Sequence, residues 1–298
     1  GPVNPLTNTY YWYLNTLTFA DIASVLGLDD DRETFLALSD SIRNAFNEKF
    51  FLAGKNLYGT ETPDQGYLLF ALSGDLVPEE HVEAVLENLI EDIEVTSKGH
   101  LGTGILGTKH LINFLAEEGR EDVVHQVVTK ITYPGWGYWI LNGATTLWEA
   151  WNAESSHNHQ MFGTVNEYFY KYLAGIQAPT NDGTSVGYRD IHIKPYIPEE
   201  MEWAEASVET VRGTVSSGWK KSGEILHLEV TIPANTSGKI TIPKLSDSEV
   251  QISESGDVIW RNGKVVENAS GITTGVEDEQ SVVLEVQSGR YAFEITGS

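Results

Sequence analysis

The sequence predicts two domains of different class, a set of α-helical hairpins followed by an antiparallel β-sandwich. Two changes in pattern carry this. Up to about residue 178 the apolar residues recur at helical spacing, and beyond it they alternate with polar residues at period two. Asn, Gly and Ser then break the alternating runs at about the intervals of a sandwich. The boundary falls in a linker-like stretch around residues 176–186, giving domains at 1–178 and 179–298, and 298 residues suffice for two cores.

The helical elements follow from their ends. Tyr10 to Leu26 is apolar over a wide face and stops at Gly27, a residue suited to a left-handed cap. Asp29-Asp30-Asp31 opens the next helix, to about Phe50, because acids complement the helix N-terminus. Thr62-Pro63-Asp64 starts a short apolar helix through Leu72, closed by Gly74. Pro78-Glu79-Glu80 starts another, with Val82, Val85, Leu86, Leu89 and Ile93 on one face. Gly104–Leu115 and Glu121–Ile131 form a pair divided by Gly119. A short helix at 147–151, capped by Thr145-Thr146, and one near Val165–Leu173 close the series. Short polar connections between apolar helices imply antiparallel hairpins. Strands are expected at 190–194, 225–232, 238–242, 282–286 and 290–295. Asn262-Gly263, between Val258-Ile259-Trp260 and Val265-Val266, marks a tight hairpin.

Charge narrows the partners. The net charge of −24 is spread over both halves: residues 1–178 hold 24 acidic and 9 basic side chains, and 179–298 hold 19 and 10. Such a surface repels nucleic acid and anionic lipid, whose association with proteins is led by cationic side chains. No apolar run is long enough to span a bilayer. With no cysteine there is neither a disulfide nor a thiolate metal site, and the redox compartment is unread. The chain starts Gly1-Pro2 without Met, as a protease-cleaved chain would, so its start says nothing of a leader.

Chemistry concentrates between Tyr133 and Gly175. Trp136, Trp139, Trp148 and Trp151 surround one acid, Glu149, and His157 and His159 follow in a polar loop. Aromatic faces beside a carboxylate and polar groups suit a sugar, whose C–H faces stack while its hydroxyls take hydrogen bonds. A buried aromatic core is the competing reading. Trp136 and Trp139, in a Gly-rich turn, are candidate stacking residues, and His100, opening GHLGTG, is a candidate pocket residue. His81, His110 and His125 lie on predicted helices and read as surface or core. Glu149, His157 and His159 do not match an HExxH metal spacing, and the acids at 29–31 and 277–279 lack a calcium-loop pattern, so no metal or cofactor is expected.

Three segments, GHLGTGILGTKHLINFL (99–115), YPGWGYWILNGATTLWEAWN (133–152) and SHNHQMFGTVNEYFYKYLAGI (156–176), resemble the α-L-rhamnosidases of glycoside hydrolase family 78. The strand sequence IHIKPYIPEEMEWAEASVETVRGTVSSGW (191–219) extends the resemblance, which runs from about Tyr10 to Pro243. It implies an (α/α)6 barrel followed by a β-sandwich, and inverting hydrolysis of terminal α-L-rhamnosides. The glutamate of the family's TTxWE motif maps onto Glu149 as general base. The family's Asn-His maps onto Asn158-His159, with His159 binding sugar hydroxyls. Inversion also needs a general acid, roughly 6.5–9.5 Å from the base.

The family's segment rich in Asp, Arg, Glu and Trp, which holds the acid, has no counterpart in this sequence. About eight helices, or four hairpins, stand where six hairpins close the barrel. The resemblance therefore implies an incomplete (α/α)6 barrel whose partners are a rhamnoside and the missing N-terminal part of the same barrel, with little activity by itself. If the acid lies within the chain, Asp64 and Glu61 are the first candidates, although Asp64 also fits a helix cap. Two alternatives are a non-catalytic sugar-binding module and a helical-barrel glycosidase or lyase of other specificity.

Overall fold

A 22-residue helix, α1 (Pro5–Leu26), and a second of equal length, α2 (Asp29–Phe50), form the first hairpin of the computed structural model, which describes residues 4–178, 186–244, 249–266 and 269–297. Asn4 caps α1 by accepting from the Thr7 N–H at 3.1 Å, and Pro5 sits where its missing N–H costs nothing. Gly27 ends α1 with φ 70°, and the three aspartates occupy the first turn of α2. Tyr10, Tyr13, Ala20, Ile42 and Phe46 are buried in this hairpin. Trp12, Phe19, Ile22 and Leu26 form a solvent-facing stripe along α1.

A two-strand turn follows, β1 (Phe51–Leu52) with β2 (Leu57–Tyr58). Then come α3 (Gln65–Ser73), a 3₁₀ turn at Glu79–His81, and α4 (Val82–Glu91), which widens into a π turn at Asp92–Thr96. The pair α5 (Thr108–Glu117) and α6 (Glu121–Val128) is followed by α7 (Trp136–Leu141) and α8 (Thr164–Glu167), which continues as a π-helix over Tyr168–Leu173. Asp64 takes the cap position of α3, its Oδ1 accepting from the Tyr67 N–H at 3.0 Å.

Two expectations fail locally. Trp136 and Trp139 lie on the six-residue α7, not in a turn. Residues 147–151 are not helical. Their hydrogen bonds run across a loop: the Glu149 N–H donates to Ser156 O at 2.9 Å, and the His159 N–H to Leu147 O at 2.9 Å. Thr146 does not cap a helix, because its hydroxyl donates to the His157 carbonyl.

The chain forms two compact units, Gly1–Thr164 and Val165–Ser298. Part of the linker stretch, residues 179–185, lies outside the described residues. In the second unit the strands are β3 (Ile176–Gln177), β4 (Asp190–Ile193), β5 (Trp203–Thr210), β6 (Gly213–Ser222), β7 (Ile225–Ile232), β8 (Ser237–Pro243), β9 (Val250–Glu254), β10 (Asp257–Arg261), β11 (Lys264–Val265), β12 (Ile272–Glu277), β13 (Ser281–Val286) and β14 (Gly289–Gly297). They make a seven-stranded sheet, β11-β10-β9-β14-β7-β6-β5, and a five-stranded sheet, β12-β13-β8-β4-β3. Among the described residues the expected all-antiparallel pairing is broken once, by β4 and β8, which run parallel. Inward residues alternate as the sequence requires, with Leu226, Leu228, Val230 and Ile232 on β7 all buried. Asn262 and Gly263 have φ 53° and 70°, the two left-handed positions of the tightest hairpin turn.

The end of the π-helix is fastened to the sandwich within the second unit. Trp219 Nε1–H donates to Leu173 O at 2.8 Å and the Ser217 hydroxyl to Ala174 O at 2.6 Å. Gly175, with φ +81°, lies against the backbone of Lys194 and Pro195, where an added Cβ would collide.

Candidate active site

The loop between α7 and α8 is shaped by indoles. Trp136 Nε1–H donates to Phe162 O at 3.1 Å, Trp139 Nε1–H to Trp151 O at 3.1 Å, and Trp151 Nε1–H to Thr103 O at 3.3 Å. Trp139 and Trp151 stack with centroids 4.3 Å apart, and Trp151 lies 4.2 Å from the Phe162 ring. Trp136 is 6% and Trp139 2% exposed, so protein covers both rings. These contacts bury apolar area and satisfy the indole donors together, which holds one loop conformation.

On this base the arms Thr146–Glu149 and Ser156–His159 run alongside each other in an irregular hairpin. Glu149 is half-buried, and its Oε2 accepts from the Ser156 N–H at 3.2 Å. The Ser156 hydroxyl accepts from the Asn158 N–H at 3.2 Å. The structure therefore brings Glu149, Asn158 and His159 together on facing arms of one loop. Among the described residues, Glu149 Oε1, the Asn158 side-chain amide and the His159 imidazole have no hydrogen-bond partner, although His159 is half-buried.

The other histidines are engaged. His157 stacks on Trp148 at 4.3 Å with 14° between planes, and its Nε2–H donates to Ala153 O at 3.1 Å. His100 donates from Nδ1 to Ser97 O at 2.9 Å and accepts at Nε2 from the Thr132 hydroxyl at 2.7 Å. One ring nitrogen is used within its own loop and the other reaches the segment between α6 and α7, so neither is paired with Glu149. His110 sits between Tyr10 and Tyr11, 3.4 Å from each hydroxyl, and burial, then Lys109, holds its pKa below the usual imidazole range. Burial pushes the Tyr10 hydroxyl up to about 12.

Sequence reasoning missed the buried network that carries the GHLGTG loop. Gln65, 3% exposed, donates from Nε2 to Asp92 Oδ2 at 3.0 Å, Ser97 Oγ at 3.2 Å and His100 O at 3.3 Å. Its Oε1 accepts from the Gly102 N–H at 2.6 Å. The next residue, Thr103, offers the carbonyl that receives Trp151, so the network leads to the loop bearing Glu149. The two candidate acids have other partners: Asp64 caps α3, and Glu61 pairs with Lys55 at 2.7 Å while exposed. No group of three or more His, Asp or Glu suited to a metal occurs among the described residues, and no helix there is long and apolar enough to cross a membrane.

Comparison with known proteins finds relatives that match along most of the chain. The model of the bacterial α-L-rhamnosidase six-hairpin glycosidase domain matches residues 3–173, and that of the bacterial α-L-rhamnosidase C-terminal domain matches 175–257. An α-L-rhamnosidase of Formosa agariphila is 33% identical over 97% of this chain, which covers 31% of that protein. The solved α-L-rhamnosidase of Dictyoglumus thermophilum is 32% identical with a TM-score of 0.85, over 99% of this chain and 33% of that one. The Streptomyces avermitilis α-L-rhamnosidase, solved with L-rhamnose, is 29% identical with a TM-score of 0.77, over 96% of this chain and 26% of that one. The chain thus spans about a third of the length of these relatives.

Proposed function

The chain belongs to the bacterial α-L-rhamnosidase six-hairpin glycosidase family, and from that premise we propose that it carries the general-base half of an inverting α-L-rhamnosidase site. The residues divide into 1–178, a portion of the helical barrel, and 179–298, the β-sandwich. Glu149 is the base: Ser156 fixes one carboxylate oxygen, and the other is left to take a proton from the attacking water. Asn158 and His159 hold hydroxyls of the rhamnosyl ring. Trp136 and Trp139 do not stack on the sugar in this reading. They fix the loop from beneath, and His100 braces the neighbouring loop.

The observation that carries the reading is the set of uncommitted polar groups, Glu149 Oε1, the Asn158 amide and the His159 imidazole, on one indole-fastened loop. A loop held by apolar packing and backbone acceptors keeps those groups in place before substrate arrives, which lowers the cost of ordering them. The general acid comes from the two thirds of the relatives' length that the chain does not span, since Asp64 and Glu61 have structural partners. The apolar stripe of α1 supports further helices packing there.

The test compares hydrolysis of p-nitrophenyl α-L-rhamnopyranoside by this chain and by a protein extended to the relatives' full length. The extended protein should turn over the substrate and release β-L-rhamnose first, read by proton NMR. Glu149→Gln in it should lower kcat by about 10²–10⁴-fold while rhamnose still binds. Unchanged turnover in that variant, or first release of the α-anomer, would refute the base assignment. Binding without hydrolysis by the extended protein would instead favour a sugar-binding module.

A further inference from the structure

The outer face of the seven-stranded sheet holds a concave feature distant in sequence from Glu149. It is a depression of about 460 Å³ at the paired positions of β5, β6 and β7, lined by Trp203, Glu205, Gly218, Lys220, His227 and Glu229. Strand register explains its shape. Trp203 pairs with Lys220, and Lys220 with His227, while in the next row Glu205 pairs with Gly218, and Gly218 with Glu229. Gly218 has no side chain to fill the middle of its row, so the floor is backbone between two glutamates. Neighbouring strands lie about 4.8 Å apart, which sets the two glutamate backbones about 10 Å apart.

The walls have a specific chemistry. Trp203 is 57% exposed, an aromatic surface that costs free energy in water without a covering partner. Its own row continues with an ammonium and an imidazole, and the next row presents two carboxylates. Lys220 and the glutamates are exposed and make no ion pair among the described residues. His227 lies 4.0 Å from Glu294. An aromatic side wall, a flat backbone floor, and donors and acceptors of both signs match a pyranose ring, which offers one C–H face and a rim of hydroxyls. The volume lies within the usual range for a small-ligand site, about 300–1,000 Å³. A polyanion is disfavoured by the surrounding carboxylates and the net charge of −24.

We infer that this groove is a carbohydrate-binding site on the sandwich, taking a neutral pyranose of a polysaccharide chain, with Trp203 as the stacking wall and Glu205, Glu229 and Lys220 as hydroxyl partners. It is separate in sequence from the Glu149 loop and does not depend on that loop's catalytic role. Its function is to hold the polymer.

Affinity gel electrophoresis of the 298-residue chain in gels carrying a neutral glucan, a xylan or a galactan tests this. At least one polysaccharide should retard the chain. Trp203→Ala should remove the retardation, Trp203→Phe should restore part of it, and Glu149→Gln should leave it intact. Trp203 is exposed, so the alanine variant should keep the circular dichroism and melting of the parent. Unchanged mobility in all three gels overturns the inference, as does retardation that survives Trp203→Ala. Retardation lost in Glu149→Gln but kept in Trp203→Ala assigns the sugar to the other loop and also overturns it.

Discussion

Replacing Gln65 by Met tests whether the buried amide network holds the loop beneath Glu149. Met keeps the length and flexibility of the side chain and removes every hydrogen bond. Two buried or part-buried partners then lack a good replacement: the Gly102 N–H loses its acceptor at 2.6 Å, and Asp92 Oδ2 keeps only the Ser97 hydroxyl at 3.4 Å. Each orphaned group costs about 1–3 kcal/mol, so the variant should lose about 2–6 kcal/mol, a large share of the about 5–15 kcal/mol that stabilises an ordinary domain. Differential scanning calorimetry should show the first unit melting roughly 5–20 °C lower. Gln65→Glu is the informative companion, since it keeps an acceptor for Gly102 but sets a second carboxyl against Asp92. Its penalty should shrink in acid, where one of the pair takes a proton. If Gln65→Met melts within about 1 °C of the parent, the network does not support the loop.

Other expectations follow from the same packing. Trp139→Ala should cost about 3–5 kcal/mol of stability, measured by urea unfolding, because it empties a buried stack; a pure loss of sugar affinity at unchanged stability would return Trp139 to a stacking role. Gly175→Ala should cost more than about 2 kcal/mol or leave the sandwich unassembled, seen as lost near-ultraviolet circular dichroism, since φ +81° and the Lys194–Pro195 backbone both oppose a Cβ. His110 binds its proton less readily folded than unfolded, so the unfolded chain takes up more protons once the pH falls below 6.5. Stability from this group is present above pH 6.5 and is lost as the pH drops through the lowered folded value. His110→Gln should flatten the fall in melting temperature between pH 7 and pH 5, and an unaltered slope would remove His110 as its source.

The parts legible in the sequence are those set by near neighbours. Gly27, Asp64, Gly74 and the Asn262-Gly263 turn each act through backbone geometry or a cap within four residues, so a local pattern suffices. The Glu149 loop reads locally as a capped helix, yet its N–H groups find acceptors such as Ser156 and Leu147 across the loop, an arrangement that local helix rules do not anticipate. The same limit hides Gln65 and Asp92, partners 27 residues apart, because a buried amide looks from sequence like any polar residue near a helix start. It also hides the parallel pairing of β4 with β8, since alternation reports which face a side chain takes and not which strand lies beside it. The aromatic cluster announces a site by composition, but only packing separates rings facing a ligand from rings bracing the loop. Trp139 is enclosed and its donor is engaged, while Trp203, in an ordinary alternating strand, stands open over a glycine floor. Exposure therefore separates these two tryptophans, which their crowding along the sequence does not.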